Sequence, residues 1–124
     1  MRDGLKSAKI SVTTNAGGAG TGVTENSVFG WLYAITIIDG NFDDGVDWTF
    51  SVEAPNDAGL ARNIKVVSNS NDDKTFYPRT LEHLDTDGAV LTTHCHPVID
   101  GVVKLTIAQG GNTKTGGAVI YYFQ

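Results

Sequence analysis

Hydrophobic and polar residues alternate along much of this chain with a period of two, the pattern of half-buried strands. It is cleanest from Val46 to Glu53. Val46, Trp48, Phe50 and Val52 take one face there, and Asp47, Thr49, Ser51 and Glu53 the other. It recurs near the C-terminus, where Val103, Leu105 and Ile107 alternate with Lys104, Thr106 and Ala108. A polar loop from Gln109 to Gly117 follows, and then Ala118 to Phe123, β-branched or aromatic almost throughout, which favours a pleated surface. These two segments predict a closing hairpin. Leu5 to Thr14 predicts a first strand with Ala8, Ile10 and Val12 on one face. Short strands are predicted at Arg62–Ser68, Lys74–Tyr77 and Ala89–Thr93.

Val28 to Ile38 (VFGWLYAITII) departs from simple alternation. Trp31, Tyr33, Ile35 and Ile37 would share one face, and Leu32, Ala34 and Ile38 the other. A strand apolar on both faces is buried on both, or is covered on one by a neighbouring subunit.

Turn-forming residues separate these runs. Asp39 to Gly45 (DGNFDDG) and the NSNDD stretch read as turns, Ala54 to Leu60 as a loop, and Asn15 to Gly22 (NAGGAGTG) as a flexible connector. Pro78 stops the strand before it because it cannot donate to a ladder. Arg79 to Asp85 offers at most a short turn, and no stretch holds a helical period over three turns. The expected fold is all-β: a single-domain β-sandwich or jelly roll of about seven to eight short antiparallel strands. Residues 1–25 would form an N-terminal arm, the first strand and a Gly-rich connector, and residues 26–124 the rest of the domain. Trp48 and Phe50 should face the same interior as Val103, Leu105 and Ile107.

Composition narrows the class. With 124 residues, 40% of them apolar, the chain has material for one core. The net charge is −5 and no basic stripe exists, which argues against a nucleic-acid grip. No run approaches the ~18 apolar residues of a membrane span. One cysteine, Cys95, allows no internal disulfide. The first residues lack an apolar signal core, so a cytosolic product without a signal peptide is expected.

Candidate chemistry is sparse. His94, Cys95 and His96, with His83 upstream, are the metal suspects. In an extended strand, however, Cys95 points away from the two histidines, and one short cluster lacks the paired ligand spacing of zinc sites. Asp39, Asn41, Asp43, Asp44 and Asp47 resemble a calcium loop superficially. An EF-hand needs glycine at its sixth position and glutamate at its twelfth, where this chain has Asp44 and Phe50. Side-chain-to-backbone hydrogen bonds in a turn explain the same residues. The glycine-rich NAGGAGTG and GGNTKTGG segments lead into strands, whereas a phosphate cradle opens a helix. No nucleophile elbow or catalytic constellation is present. A non-enzymatic protein with no cofactor and no bound metal is expected.

Charge is unevenly placed. Six acids lie between Asp39 and Ala61 (Asp39, Asp43, Asp44, Asp47, Glu53 and Asp57) with no Lys or Arg among them. The first nine residues carry Arg2, Lys6 and Lys9. An acidic edge and a basic arm suit pairing with neighbours in an assembly. Arg2, Lys6, Lys9, Asp43, Asp44 and Asp57 are therefore the candidate partner-binding residues, and the arm from Met1 to Lys9 is expected to lie on another chain.

The segments GWLYAITIIDGNFDDGVDWTF, TFYPRTLEH, TDGAVLT and PVIDGVVKLTIAQGGNTKTGGAVIYY resemble a group of small β-proteins encoded by tailed bacteriophages and prophages in their structural-gene regions. The resemblance spans Trp31 to Tyr122. Its most specific parts are the IAQGGNTKTG and YPR segments, and it contains no catalytic motif. It implies a virion structural protein, made in the host bacterial cytoplasm, and within that class a capsid decoration or cement protein. The implied partners are the major capsid protein and further copies of this chain in a homo-oligomer, with no nucleic acid and no membrane. A head–tail junction or tail component is the alternative within the class. A carbohydrate-binding module is the alternative outside it, although Trp48 sits on the inward face of its strand.

Overall fold

A computed structural model describes the backbone of residues 4–54, 57–83 and 90–124, and the side chains of 4–52, 63–79 and 94–124. Among the described residues ten strands follow one another: β1 (Lys6–Thr13), β2 (Gly20–Val23), β3 (Val28–Ile38), β4 (Asp47–Ala54), β5 (Asp57–Val67), β6 (Lys74–Phe76), β7 (Thr80–His83), β8 (Val90–Cys95), β9 (Val98–Ala108) and β10 (Thr115–Phe123). Eight of them form one hydrogen-bonded sheet ordered β1-β10-β3-β9-β4-β5, with β2 also on β9 and β6 on β3. Every pairing in it is antiparallel. β7 and β8 form a separate two-stranded ribbon, where sequence pattern predicts only a turn before Asp85.

The sheet doubles back on itself as a sandwich, and β9 makes the crossing. Its first residues, Val98 to Gly101, pair with Trp31 to Val28 of β3. From Val102 onward it pairs with β4, and from Lys104 to Ile107 it also pairs with β2. The front layer is thus β1, β10, β3 and β6, and the back layer β2, β9, β4 and β5. Between them the core takes Ile10, Leu32, Ile35, Ile37 and Ile120 from the front, and Trp48, Phe50, Val52, Val103, Leu105 and Ile107 from the back, all fully buried. Trp48 and Phe50 do share their interior with Val103, Leu105 and Ile107. The Trp48 indole N–H donates to the Ser70 carbonyl at 2.8 Å, so its one polar atom is satisfied inside the core.

Several local expectations are corrected. β9 and β10 are not a hairpin: β10 lies between β1 and β3, and β9 between β3 and β4. Period-two alternation fixes which face of a strand is buried, but not which strand lies beside it. The loop joining them arches from the back layer to the front. It passes through positive φ at Gln109, Gly111 and Thr113 and is held by Thr14. The Thr14 hydroxyl donates to the Gly111 carbonyl at 2.7 Å and accepts from the Lys114 N–H at 2.8 Å. The glycine-rich connector is also ordered. Asn15 Oδ1 accepts from the Gly17 and Ala19 amides, and Gly20 already begins β2. A Cβ on Gly22 would stand 2.3 Å from the Ser11 carbonyl oxygen, so glycine here permits two backbones to touch. β5 begins at Asp57, inside the expected loop.

The N-terminal arm is corrected from Lys6 on, while Met1 to Asp3 lie outside the described residues. Lys6 to Lys9 are strand residues, paired with Tyr122 to Val119 of the same chain. Ile10 and Val12, in the same strand, are core.

Candidate interaction surfaces

The front layer has an outer face as well as a core face, and strand register shows what occupies it. Ile10, Ala118 and Ile37 are aligned and point inward. The next row, Lys9, Val119, Thr36 and Thr75, therefore points outward. So does the row Ser7, Tyr121 and Ala34. Between Tyr121 and Tyr122 the register with β3 slips: Tyr121 faces Ala34, and Tyr122 faces Leu32. Tyr33 is the extra residue of a β-bulge, and it shifts the alternation of β3 by one. That slip explains why Trp31 does not share a face with Ile35 and Ile37, as unbroken alternation predicts. Leu32 is buried, and Trp31 is 48% exposed.

Beyond the bulge, Trp31 lies between Phe123 of β10 and Val98 of β9, and Phe29 lies opposite Asp100. Phe29 and Val98 are also about half exposed, as are Leu5 and Tyr77 farther across the face. The bulged Tyr33 is the hub of a ring cluster. It packs edge-to-face on Tyr77 at 5.6 Å and on Phe123 at 5.7 Å, and His96 meets Phe123 edge-to-face at 5.4 Å. The Arg79 guanidinium lies 5.7 Å over the Tyr33 ring and donates to the Tyr33 carbonyl at 3.0 Å. Beside the cluster is a groove of about 260 Å³, floored by Ala34 and walled by Leu5, Tyr33, Tyr77 and Tyr121.

The acidic residues gather elsewhere, at the end of the sandwich where β3 runs into Asp39. Their carboxylates brace the turns. Asp73 accepts from the Asp39 amide at 2.8 Å, Asp47 accepts from the Asn69 amide at 3.0 Å, and Asp44 accepts from the Asn71 side-chain amide. Asp43 lies against Gly111, where a Cβ would collide with its carboxylate. Asp39 is the strained member. One of its side-chain oxygens is buried without a hydrogen-bond partner. Burial, then the charges of Asp73, Asp72 and Asp44, raise its pKa above the usual carboxylate value.

Of the residues singled out from sequence, Asp43 and Asp44 belong to this acidic end. Lys6 and Lys9 are exposed on β1, with Lys9 on the outer face of the front layer. Asp57 opens β5, with its side chain outside the described residues, and Arg2 lies outside them altogether. His96 is drawn into the ring cluster, with its Nδ1 3.0 Å from the Leu32 carbonyl oxygen. Among the described residues no three His, Cys, Asp or Glu side chains converge as a metal-binding group; the side chain of His83 is not among them. The outer-face residues Leu5, Phe29, Tyr77 and Val98 were not foreseen. Their one sequence signal is the two-sided apolar character of Val28–Ile38, which points to cover from outside.

Compared with protein-family models, curated proteins and solved structures, the chain matches none.

Proposed function

We propose that this protein is a structural component of a tailed-phage virion, a decoration protein that binds the shell of major capsid protein and stabilises it. One observation supports this reading beyond the sequence resemblance: a small sandwich carries two unlike, spatially separate surfaces. One is an acidic end where Asp47 and Asp73 accept from backbone amides and Asp44 from the Asn71 side chain. The other is a half-exposed aromatic face. A cross-linking protein needs two contacts that do not compete, one with the shell and one with a neighbouring molecule. The acidic end, including Asp43 and Asp44, suits basic loops of a capsid subunit, and carboxylates already held by hydrogen bonds, such as Asp44 and Asp47, lose little side-chain freedom on binding. Each contact is modest, and repetition over a symmetric shell adds them through multivalency.

The test is to make particles without this protein and compare their rupture on heating. Decoration predicts heads that assemble and carry tails but rupture at a lower temperature. Added protein should rebind them and restore heat resistance, less well as salt rises, because exposed charge pairs are screened over about 10 Å at 0.1 M. Intact tailless heads would place the protein at the head–tail junction instead. Normal tails with unchanged heat resistance would refute decoration.

A further inference from the structure

We infer that two copies of this chain associate through the outer aromatic face of the front layer, with Trp31 and Phe29 at the centre of a two-fold interface. The inference deepens the proposed role by naming a second copy as the occupant of its aromatic surface, and the dimer itself is tested without the shell.

Area comes first. Leu5, Phe29, Trp31, Tyr77 and Val98 are each 45–56% exposed. Aromatic side chains bury roughly 150–250 Å² each and Leu and Val less, so these five, about half exposed, leave on the order of 400–500 Å² of surface in water. That is near the upper end for the largest patch on a monomer, roughly 300–600 Å². It would supply most of the apolar centre of a standard interface, about 800 Å² per partner.

Shape points to a second copy. An isologous interface needs a surface complementary to itself. Here exposed Phe29 and Trp31 lie on the same outer face as the groove of about 260 Å³ walled by Leu5 and Tyr77. A two-fold axis between them would bring the Phe29 and Trp31 side chains of each copy toward the groove of the other. Stacked sugar rings suit the surface less well, because Tyr33, Tyr77 and Phe123 meet edge-to-face and present no common plane.

Charge agrees. The chain carries −5, and two copies repel wherever their acids meet. Trp31 and the acidic end at Asp39 are eight residues apart along β3, roughly 25 Å of extended chain. The charged groups on or beside the aromatic face are mixed in sign: Lys9 and Arg79 against Asp100. It is a face on which two acidic molecules can meet without opposing their acidic ends.

Sedimentation of the full chain across the micromolar range tests this. The expected species is twice 13.2 kDa, dissociating on dilution. Trp31→Glu and Phe29→Asp should each weaken the dimer at least tenfold. Val66→Asp, a control at an exposed position on β5, should leave it unchanged. Fluorescence gives a second readout that does not rely on a disruptive variant. Trp48 is fully buried and Trp31 half exposed, so dilution should red-shift the emission of the wild type but not of Trp31→Phe. A monomer at every concentration, a dimer indifferent to Trp31→Glu, or a dilution shift that survives Trp31→Phe would each overturn the inference. A monomer that still rebinds shells through this face would assign the surface to the capsid protein instead.

Discussion

The two tryptophans occupy opposite kinds of surface. Trp48 is in β4, where every second side chain enters the core, and it is fully enclosed with its N–H bonded to Ser70. Trp31 is in β3, on the far side of a bulge, between Val98 and Phe123 and half open to water. Both strands are rich in apolar residues, and only one has a layer behind each of its apolar faces. A sandwich of two layers offers each strand a single interior side. Apolar side chains on the other side are surplus to folding, so a strand such as β3 marks where the molecule has something left to cover. An isolated exposed hydrophobic residue needs no explanation; a contiguous aromatic face does.

The most severe way to probe that contrast is to truncate each tryptophan. Trp48→Ala removes a filled, satisfied core position, and such truncations cost about 3–5 kcal/mol, enough to leave little of a small domain's stability. Trp31→Ala gives up only the packing of a half-exposed side chain, so it should destabilise the monomer clearly less than Trp48→Ala does, while weakening association. Urea melts of both variants at low protein concentration give the comparison directly. A Trp48→Ala variant that melts like the wild type would erase the distinction.

Sequence carried the fold class because alternation survives in the strands that build the core. β4 is the plainest case: its inward positions Trp48, Phe50 and Val52 are all buried. Pairing was not legible. The glycine-rich loop between β9 and β10 reads as a hairpin turn, yet it is an arch whose shape depends on Thr14, about a hundred residues away in sequence. β2 was hidden because Gly20 and Gly22 look like punctuation, although they are there for close approach to β1. The aromatic face was hidden by the Tyr33 bulge, since one inserted residue reassigns every side chain before it to the opposite face. The acidic run was visible from composition. Its meeting with Asp73 and Asp72, whose charges add to burial in raising the Asp39 pKa, comes from tertiary structure.

A middle-sized effect should come from a buried polar group that, like the Trp48 indole, has its partners. Thr14 is 3% exposed and bonded to both Gly111 and Lys114. Thr14→Val keeps its shape and leaves the Lys114 amide and Gly111 carbonyl without that hydroxyl. Orphaning buried polar groups costs about 1–3 kcal/mol each. Thermal melts should show a clear loss. Hydrogen exchange should show faster amides in the 109–115 loop, with the β4 core amides less affected. Unchanged protection in that loop would mean that Thr14 does not hold the arch.

The smallest effect concerns Asp39, which is neither enclosed and satisfied like Trp48 nor open like Trp31. Its carboxyl has one buried oxygen without a partner, and burial together with Asp73, Asp72 and Asp44 raises its pKa. A raised carboxyl pKa means that the folded state binds the proton more tightly than the unfolded chain does. Protonation therefore favours folding: the contribution is complete below the ordinary carboxylate value of 3.8 and is lost as pH rises through the raised folded value. At neutral pH the ionised group opposes folding. Asp39→Asn should accordingly melt slightly higher than the wild type at pH 7, by less than Thr14→Val loses, with the gap closing as pH falls below the carboxylate range. Added salt should narrow the gap at pH 7, since part of the penalty is repulsion between partly exposed acids. A variant less stable than the wild type at pH 7, or a gap that widens in acid, would show that the Asp39 carboxylate is instead stabilised by contacts at this end of the sandwich.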